Sequence, residues 1–139
     1  MEDRFVETAL RLQQNGHNCA QAAVCAFAPL LPCEERTLFM LAEGFGSGFG
    51  GCEGTCGALS GAVMAISSLR SKGDPMQVTK RETYVLTKRL YDRFVEKAHS
   101  SVCKDLRGLE SGIELHSCPD CVADAVRIAY GIMKEENLI

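Results

Sequence analysis

The sequence contains no run of apolar residues long enough to span a bilayer. Its longest such run, residues 58–69, is short and is interrupted by serine and glycine. The first residues, Met-Glu-Asp-Arg-Phe, are acidic and lead into no apolar core of a signal peptide. We therefore expect no membrane insertion and no export, and we expect the protein to stay in the cytoplasm.

The sequence also lacks an excess of basic residues. It has 15 lysines and arginines against 18 aspartates and glutamates, which gives a formal net charge of -3 at pH 7 with both signs interspersed. Proteins that bind nucleic acids neutralise phosphates with a basic stripe, and this chain has none. A role in nucleic-acid binding is therefore not expected.

No segment alternates apolar and polar residues as a half-buried strand does. No repeat, low-complexity tract or linker divides the chain either. A chain of 139 residues with 46% hydrophobic residues can bury its own core without disulfides. These features predict an all-α fold in one domain, residues 1–139, built as a compact bundle of five to six helices.

Apolar residues at helical spacing mark the helices of this bundle. The predicted helical segments are residues 4–14, 18–29, 34–43, 56–71, 74–99 and 117–133. Asn18 and the pair Asp74-Pro75 are suitable residues for the start of a helix.

Seven of the thirteen glycines fall between residues 44 and 57. They predict a loop that approaches other groups closely. This loop leads into a buried central helix with a face of small residues, which include Gly57 and Gly61. That face can pack within one chain or between two, so a homo-oligomer is left open.

Eight cysteines are many for a chain of this length. Without a signal peptide, and with an ordinary core, they favour metal binding or thiol redox chemistry over a disulfide framework. Cys19, Cys56 and Cys118 stand at predicted helix starts, where free backbone amides and the helix dipole favour a thiolate. A thiolate can act either as a metal ligand or as a nucleophile in disulfide exchange.

The other cysteines next to these are open to two interpretations. Cys52 and Cys121 stand near Cys56 and Cys118, and each could substitute for its neighbour or act as a resolving thiol. Cys121 could also be a core residue. The Cys118-x-x-Cys121 motif lacks the preceding strand of a thioredoxin-like site and the histidine of a haem-attachment site.

Some features are expected to be structural. Cys25 and Cys33 are predicted to be packing residues. His17 and His116 lie two residues before Cys19 and Cys118, where they could donate to sulfur or replace a ligand, although a surface position is the commoner case. The third histidine, His99, is predicted to be solvated at a helix end. A formal dinucleotide fingerprint at residues 46–51 is discounted because no strand precedes it.

Four blocks of the sequence together resemble the redox-active protein family named C_GCAxxG_C_C. The blocks are Asn18-Cys19-Ala20-Gln21-Ala22, Cys56-Gly57-Ala58-Leu59-Ser60-Gly61-Ala62, Cys103-Lys104-Asp105-Leu106, and Cys118-Pro119 with Val122 and Ala125. The second block reads Cys-Gly-Ala-x-x-Gly where the family name has Gly-Cys-Ala-x-x-Gly. The resemblance implies a functional set made of Cys19, Cys56, Cys103 and Cys118. It implies that Cys25, Cys33, Cys52 and Cys121 are additions of this chain.

Three functions are compatible with these four cysteines. In the first, they bind an iron–sulfur cluster for electron transfer, and the glycine loop donates amides to the sulfurs. In the second, a thiol–disulfide oxidoreductase uses Cys56 as its nucleophile and Cys103 or Cys118 as its resolving thiol. In the third, the same residues form a structural zinc site, although the compact double Cys-x-x-Cys spacing is absent. The sequence does not identify the redox partner protein.

Overall fold

The protein is all-α, as predicted. The computed structural model describes residues 1–139 and contains seven α-helices and no strand. The helices are α1 (Glu2–Gln14), α2 (Cys19–Cys25), α3 (Glu35–Ala42), α4 (Gly57–Arg70), α5 (Lys80–Ala98), α6 (Cys103–Arg107) and α7 (Cys118–Glu135). None of them combines the length and the apolar character needed to cross a membrane.

Two helix predictions need correction. A short helix, α6, was not expected, and it brings the total to seven rather than five or six. The long helix α5 begins at Lys80 rather than at residue 74. Asp74 instead closes a local turn, because its carboxylate accepts hydrogen bonds from the Met76 amide at 2.9 Å and from Gln77 Nε2 at 3.1 Å.

The small-residue helix α4 packs against α2, α5 and α7. Its closest approach is to α2, where a Cβ on Gly61 would stand 2.4 Å from the backbone oxygen of Ala20. The last helix, α7, packs on α1, α4 and α5. One core of 32 buried residues connects these helices.

The glycine-rich segment before α4 follows an unusual backbone path. Ser47, Phe49 and Cys52 have positive φ values of 51°, 64° and 67°. Gly48 also has a positive φ, of 55°, and a Cβ on it would stand 2.6 Å from the Cβ of Cys103. The segment therefore lies directly against the start of α6.

Backbone hydrogen bonds hold this segment to the residues before and at the start of α6. The Cys56 amide donates to Ser101 O at 2.7 Å, and the Cys103 amide donates to Gly54 O at 3.0 Å. Thr55 and Val102 form an isolated antiparallel bridge between the same two segments. The starts of α4 and α6 are thereby fixed next to each other.

Candidate functional site

The four predicted site cysteines all lie at the start of a helix. Cys19, Cys103 and Cys118 are the first residues of α2, α6 and α7, and Cys56 is the residue that precedes α4. Asn18 caps α2 by accepting a hydrogen bond from the Gln21 amide at 2.9 Å. The cysteine positions are therefore set by the helix boundaries.

These helix starts meet at one cavity of about 230 Å³. Five cysteines line it, because Cys121, one turn into α7, joins the four predicted ones. The full set of lining residues is Cys19, Ser47, Cys56, Gly57, Cys103, Leu106, Arg107, His116, Cys118 and Cys121. We call this the sulfur cavity.

The remaining three cysteines do not line the sulfur cavity. Cys33 is exposed. Cys25 is buried in the core, as expected for a packing residue, and its burial and the nearby Glu35 carboxylate raise its pKa to about 11. Cys52 contacts Arg107, a lining residue of the cavity, whose Nη1 donates to Cys52 Sγ at 3.3 Å.

Cys19 and Cys118 form a pair whose interaction shifts the two thiol pKa values in opposite directions. The pKa of Cys19 is lowered to about 6, mainly because the Cys118 thiol hydrogen-bonds to it, while burial opposes the shift. Backbone amides of Ser47 and Ala20 add to the stabilisation. The same hydrogen bond raises the pKa of Cys118, although the residue as a whole is exposed. At Cys118 the contact with Cys19 thus acts against the thiolate that the helix start is predicted to favour.

Cys56 and Cys121 form a second pair of the same kind. The pKa of Cys56 is lowered, first by a hydrogen bond from Cys121, against the effect of burial, and further by the amides of Leu59 and Ala58 in the first turn of α4. The pKa of Cys121 is raised by its hydrogen bond to Cys56 and by burial. Cys121 is thus part of the site and is not only a core residue.

Cys103 differs from Cys19 and Cys56, because burial and its neighbour Cys52 raise its pKa to about 11. The guanidinium of Arg107 acts in the opposite direction and favours the thiolate. A third sulfur group therefore lies at the cavity, made of Cys103, Cys52 and Arg107. Its positive charge is the Arg107 guanidinium, which lies beside both sulfurs.

His116 lines the sulfur cavity and is not a freely solvated surface residue. Its Nε2 lies 2.5 Å from Oδ2 of Asp124, a carboxylate in a residue that is only 5% exposed. Asp124 also forms ion pairs with Lys97 at 2.9 Å and Arg127 at 3.2 Å. These contacts hold the imidazole in one orientation at the cavity wall.

His17 and His99 take no part in the sulfur cavity. The ring of His17 packs edge-on against Phe39, with 4.9 Å between the ring centroids. His99 ends α5 in a left-handed conformation with a φ of 73°. The expected helix-end position of His99 is thus correct.

The sulfur cavity is lined by cysteines near one another that could bind a metal. No three of these sulfurs all lie within 4.8 Å of one another, since the one trio of His, Cys, Asp or Glu donor atoms that do is elsewhere in the chain. A single tetrahedral zinc ion would bring its sulfur ligands to within about 3.8 Å of one another. The arrangement leaves room for a larger group.

Sequence reasoning missed three residues that contact the sulfurs. Arg107 stands four residues after Cys103, on the same helix, and this spacing could have identified it. Ser47 donates its amide to Cys19, and Gln13 Nε2 donates to Cys118 Sγ at 3.2 Å. No local pattern indicates these two contacts, because both arise from the tertiary fold.

Comparison with known proteins agrees with the four cysteine blocks. Residues 17–132 match the family described as "Putative redox-active protein (C_GCAxxG_C_C)". An uncharacterized protein from Archaeoglobus fulgidus is similar to the chain, with 27% identity over 140 residues that cover 93% of each chain. No solved structure matches.

Proposed function

The chain belongs to the C_GCAxxG_C_C family, and from this membership we propose that its sulfur cavity binds an iron–sulfur cluster that transfers electrons to a partner protein. The observation that carries the proposal is the convergence of five cysteines on one cavity of about 230 Å³. A cluster needs thiolate ligands from several cysteines, and it transfers an electron without breaking a bond to the protein.

The donor chemistry of the cavity supports a cluster. Its cysteine side chains supply sulfur, and no carboxylate lines the cavity. The absence of three sulfurs within 4.8 Å of one another favours a group with several iron atoms over a single zinc ion, since each sulfur can then bind a different iron. The zinc interpretation, which the same cysteines and His116 also allow, is therefore the less favoured one at this cavity.

Backbone amides next to the sulfurs also support electron transfer. Ser47 and Ala20 direct amides to Cys19, while Ala58 and Leu59 direct amides to Cys56. Hydrogen bonds to cluster sulfurs tune the reduction potential. The glycine-rich segment supplies the Ser47 amide, which fits the expected role of that segment.

We assign the ligands to Cys19, Cys56, Cys103 and Cys118, in agreement with the four family blocks. Cys121 lines the same cavity and is the alternative to Cys103. Serine substitutions separate the two cases, because only the residue that binds iron is required for loading.

The test is anaerobic loading with ferrous iron and sulfide, followed by iron and sulfide analysis, visible spectroscopy and electron paramagnetic resonance of the reduced protein. We expect the wild type to bind both elements, and we expect Cys19→Ser, Cys56→Ser, Cys103→Ser and Cys118→Ser to lose them. Cys33→Ser is the control, since Cys33 is exposed and outside the cavity. Purified protein that takes up zinc there but no iron and sulfide would contradict the proposal.

Thiol–disulfide exchange is the second candidate, and the pairing of Cys56 with Cys121 favours it. The Cys56 thiolate would attack a substrate disulfide and release one substrate thiolate, which takes up a proton. Cys121 would then give up its proton and attack Cys56 to form an internal disulfide, which releases the second substrate thiol. The resolving residue would be Cys121 rather than Cys103 or Cys118.

This second candidate predicts a trapped intermediate in metal-free protein. Cys121→Ser should accumulate a mixed disulfide with glutathione on Cys56 that mass spectrometry detects, whereas the wild type should form the internal disulfide. If Cys121→Ser forms no adduct on Cys56, this candidate is excluded.

A further inference from the structure

A second group of metal-binding side chains lies outside the sulfur cavity. It consists of His17 in the loop before α2, Cys25 at the end of α2, and Glu35 at the start of α3. One ring nitrogen, one sulfur and one carboxylate oxygen from these residues all lie within 4.8 Å of one another. None of the three residues lines the sulfur cavity.

We propose that His17, Cys25 and Glu35 form a second site that binds a single zinc ion. Imidazole nitrogen, thiolate sulfur and carboxylate oxygen are all ligands of zinc in proteins, and three protein ligands leave a fourth position for water. On binding, the Cys25 thiol loses its proton to solvent as the zinc–sulfur bond forms.

The geometry requires only a small adjustment. Tetrahedral zinc with bonds of about 2.0–2.3 Å separates its ligand atoms by about 3.3–3.6 Å for this donor set. The three donor atoms, within 4.8 Å in the metal-free chain, therefore need to move together by roughly 1 Å. Side-chain rotation of His17 and Glu35 can supply this movement, because neither residue is fully buried.

The three side chains form no hydrogen bond or ion pair that metal binding would break, although His17 also packs against Phe39 and Cys25 lies in the core. The thiol of Cys25 is in a residue only 2% exposed, and it has no hydrogen-bond partner. No side-chain hydrogen bond or ion pair involves His17 or Glu35, in contrast to Asp124, which has three charged or ionisable partners. A bound cation would give all three donors a partner.

A route for the ion exists beside the donors. A cavity of about 360 Å³ is lined by both Cys25 and Glu35 and lies between α1 and the end of α2. It gives solvent access to Cys25 and Glu35 and space for the water on the fourth position, although Arg4 and Arg11 also line it. Cys19 and Cys25 stand six residues apart on α2, or about 9 Å along the helix axis, so this site is separate from the sulfur cavity.

The test is zinc titration of reduced, metal-free protein in competition with a chromophoric chelator. A background variant, Cys19→Ser/Cys56→Ser, disables the sulfur cavity. We expect it to keep one equivalent of bound zinc. In this background, Glu35→Gln and His17→Ala should weaken zinc binding at least about tenfold, since even the loss of an outer contact to a metal ligand costs about 10–100-fold.

Glu34→Gln is the matched control, because it removes the neighbouring exposed carboxylate, which is not part of the trio. It should bind zinc as the background does. If the double-serine background does not fold, the same single variants are compared in the wild type, where Glu35→Gln and His17→Ala should each lose one equivalent of zinc. Equal zinc binding by Glu35→Gln, His17→Ala and Glu34→Gln would overturn the proposal, as would a folded background that binds none.

Cobalt gives a second, spectroscopic measurement on the same proteins. Cobalt bound to the background variant should show a sulfur-to-metal charge-transfer band, and Cys25→Ala should remove it. A band that survives in folded Cys25→Ala would also overturn the assignment.

Discussion

Gly57 lies against Cys19 so closely that a Cβ on Gly57 would stand 2.4 Å from Cys19 Sγ. Real Cβ atoms do not approach another heavy atom this closely, so any other residue at position 57 must displace the sulfur. Gly57, the first residue of α4, therefore leaves the space that the sulfur of Cys19, the first residue of α2, occupies.

Gly57→Ala should accordingly disrupt the sulfur cavity. The displaced Cys19 sulfur loses its alignment with Cys118, and iron and sulfide loading should fall to the level of Cys19→Ser. Gly131→Ala is the control, because Gly131 also lies in a helix but has open space where a Cβ would be added. Normal loading of Gly57→Ala would show that the sulfur can move without consequence.

Gly61→Ala tests the packing of α4 on α2 without touching a sulfur. Its Cβ would stand 2.4 Å from the backbone oxygen of Ala20, which cannot rotate away. We expect a loss of about 1–3 kcal/mol in the free energy of unfolding, measured by urea denaturation. Gly131→Ala should instead gain about 0.5–1 kcal/mol, because it only removes the helix penalty of glycine. Two glycine variants of equal stability would contradict the close packing.

The reduced, metal-free protein should contain a thiolate at Cys19 at neutral pH. Its pKa is lowered from the ordinary 9.0 to about 6, so the thiolate is present at pH 7 and is lost as the pH falls through about 6. The ultraviolet thiolate absorbance of the wild type minus that of Cys19→Ser should show this midpoint. In Cys118→Ala the midpoint should move upward, because this variant removes the hydrogen-bond donor that stabilises the Cys19 thiolate most. A midpoint that stays near 9 in the wild type would rule out the thiolate–thiol pair.

Asp124 should stabilise the fold through the contacts that hold His116. Asp124→Asn removes a buried charge with three charged or ionisable partners, two of which are partly exposed, and should cost about 1–3 kcal/mol of unfolding free energy. Asp92→Asn is the control on an exposed ion pair with Lys88, and should change stability by less than about 0.5 kcal/mol. Thermal or urea unfolding distinguishes the two, and equal small effects would mean that the Asp124 cluster contributes little.

The helices could be predicted from the sequence because their signals are local. Asn18 caps α2 and Ser117 caps α7, as their sequences indicate. Asp74-Pro75 is an equally good sequence for a helix start, yet no helix begins there. The residues that follow face solvent, with Met76 89% exposed. A cap begins a helix only where the following turn has something to pack against.

The candidate site could be predicted in part. The four cysteine blocks pointed to residues that the fold brings to one cavity, but the pairing of Cys19 with Cys118 and of Cys56 with Cys121 could not be derived. These pairs depend on how α7 docks against α2 and α4, which no spacing within the sequence encodes. The direction of the pKa shift at each sulfur also follows from that docking, so the raised pKa of Cys118 could not be predicted from its position at a helix start.

Both proton-donating thiols, Cys118 and Cys121, belong to α7. During translation the chain emerges in order, so Cys19, Cys56 and Cys103 leave the ribosome before either donor. At about 5–20 residues per second, roughly 1–4 s separate the synthesis of Cys103 from that of Cys121. In this interval the early thiols lack their partners and are open to stray oxidation. The cavity becomes complete only when α7 has been made and docked, so the full set of cavity cysteines can hold a cofactor only after that step.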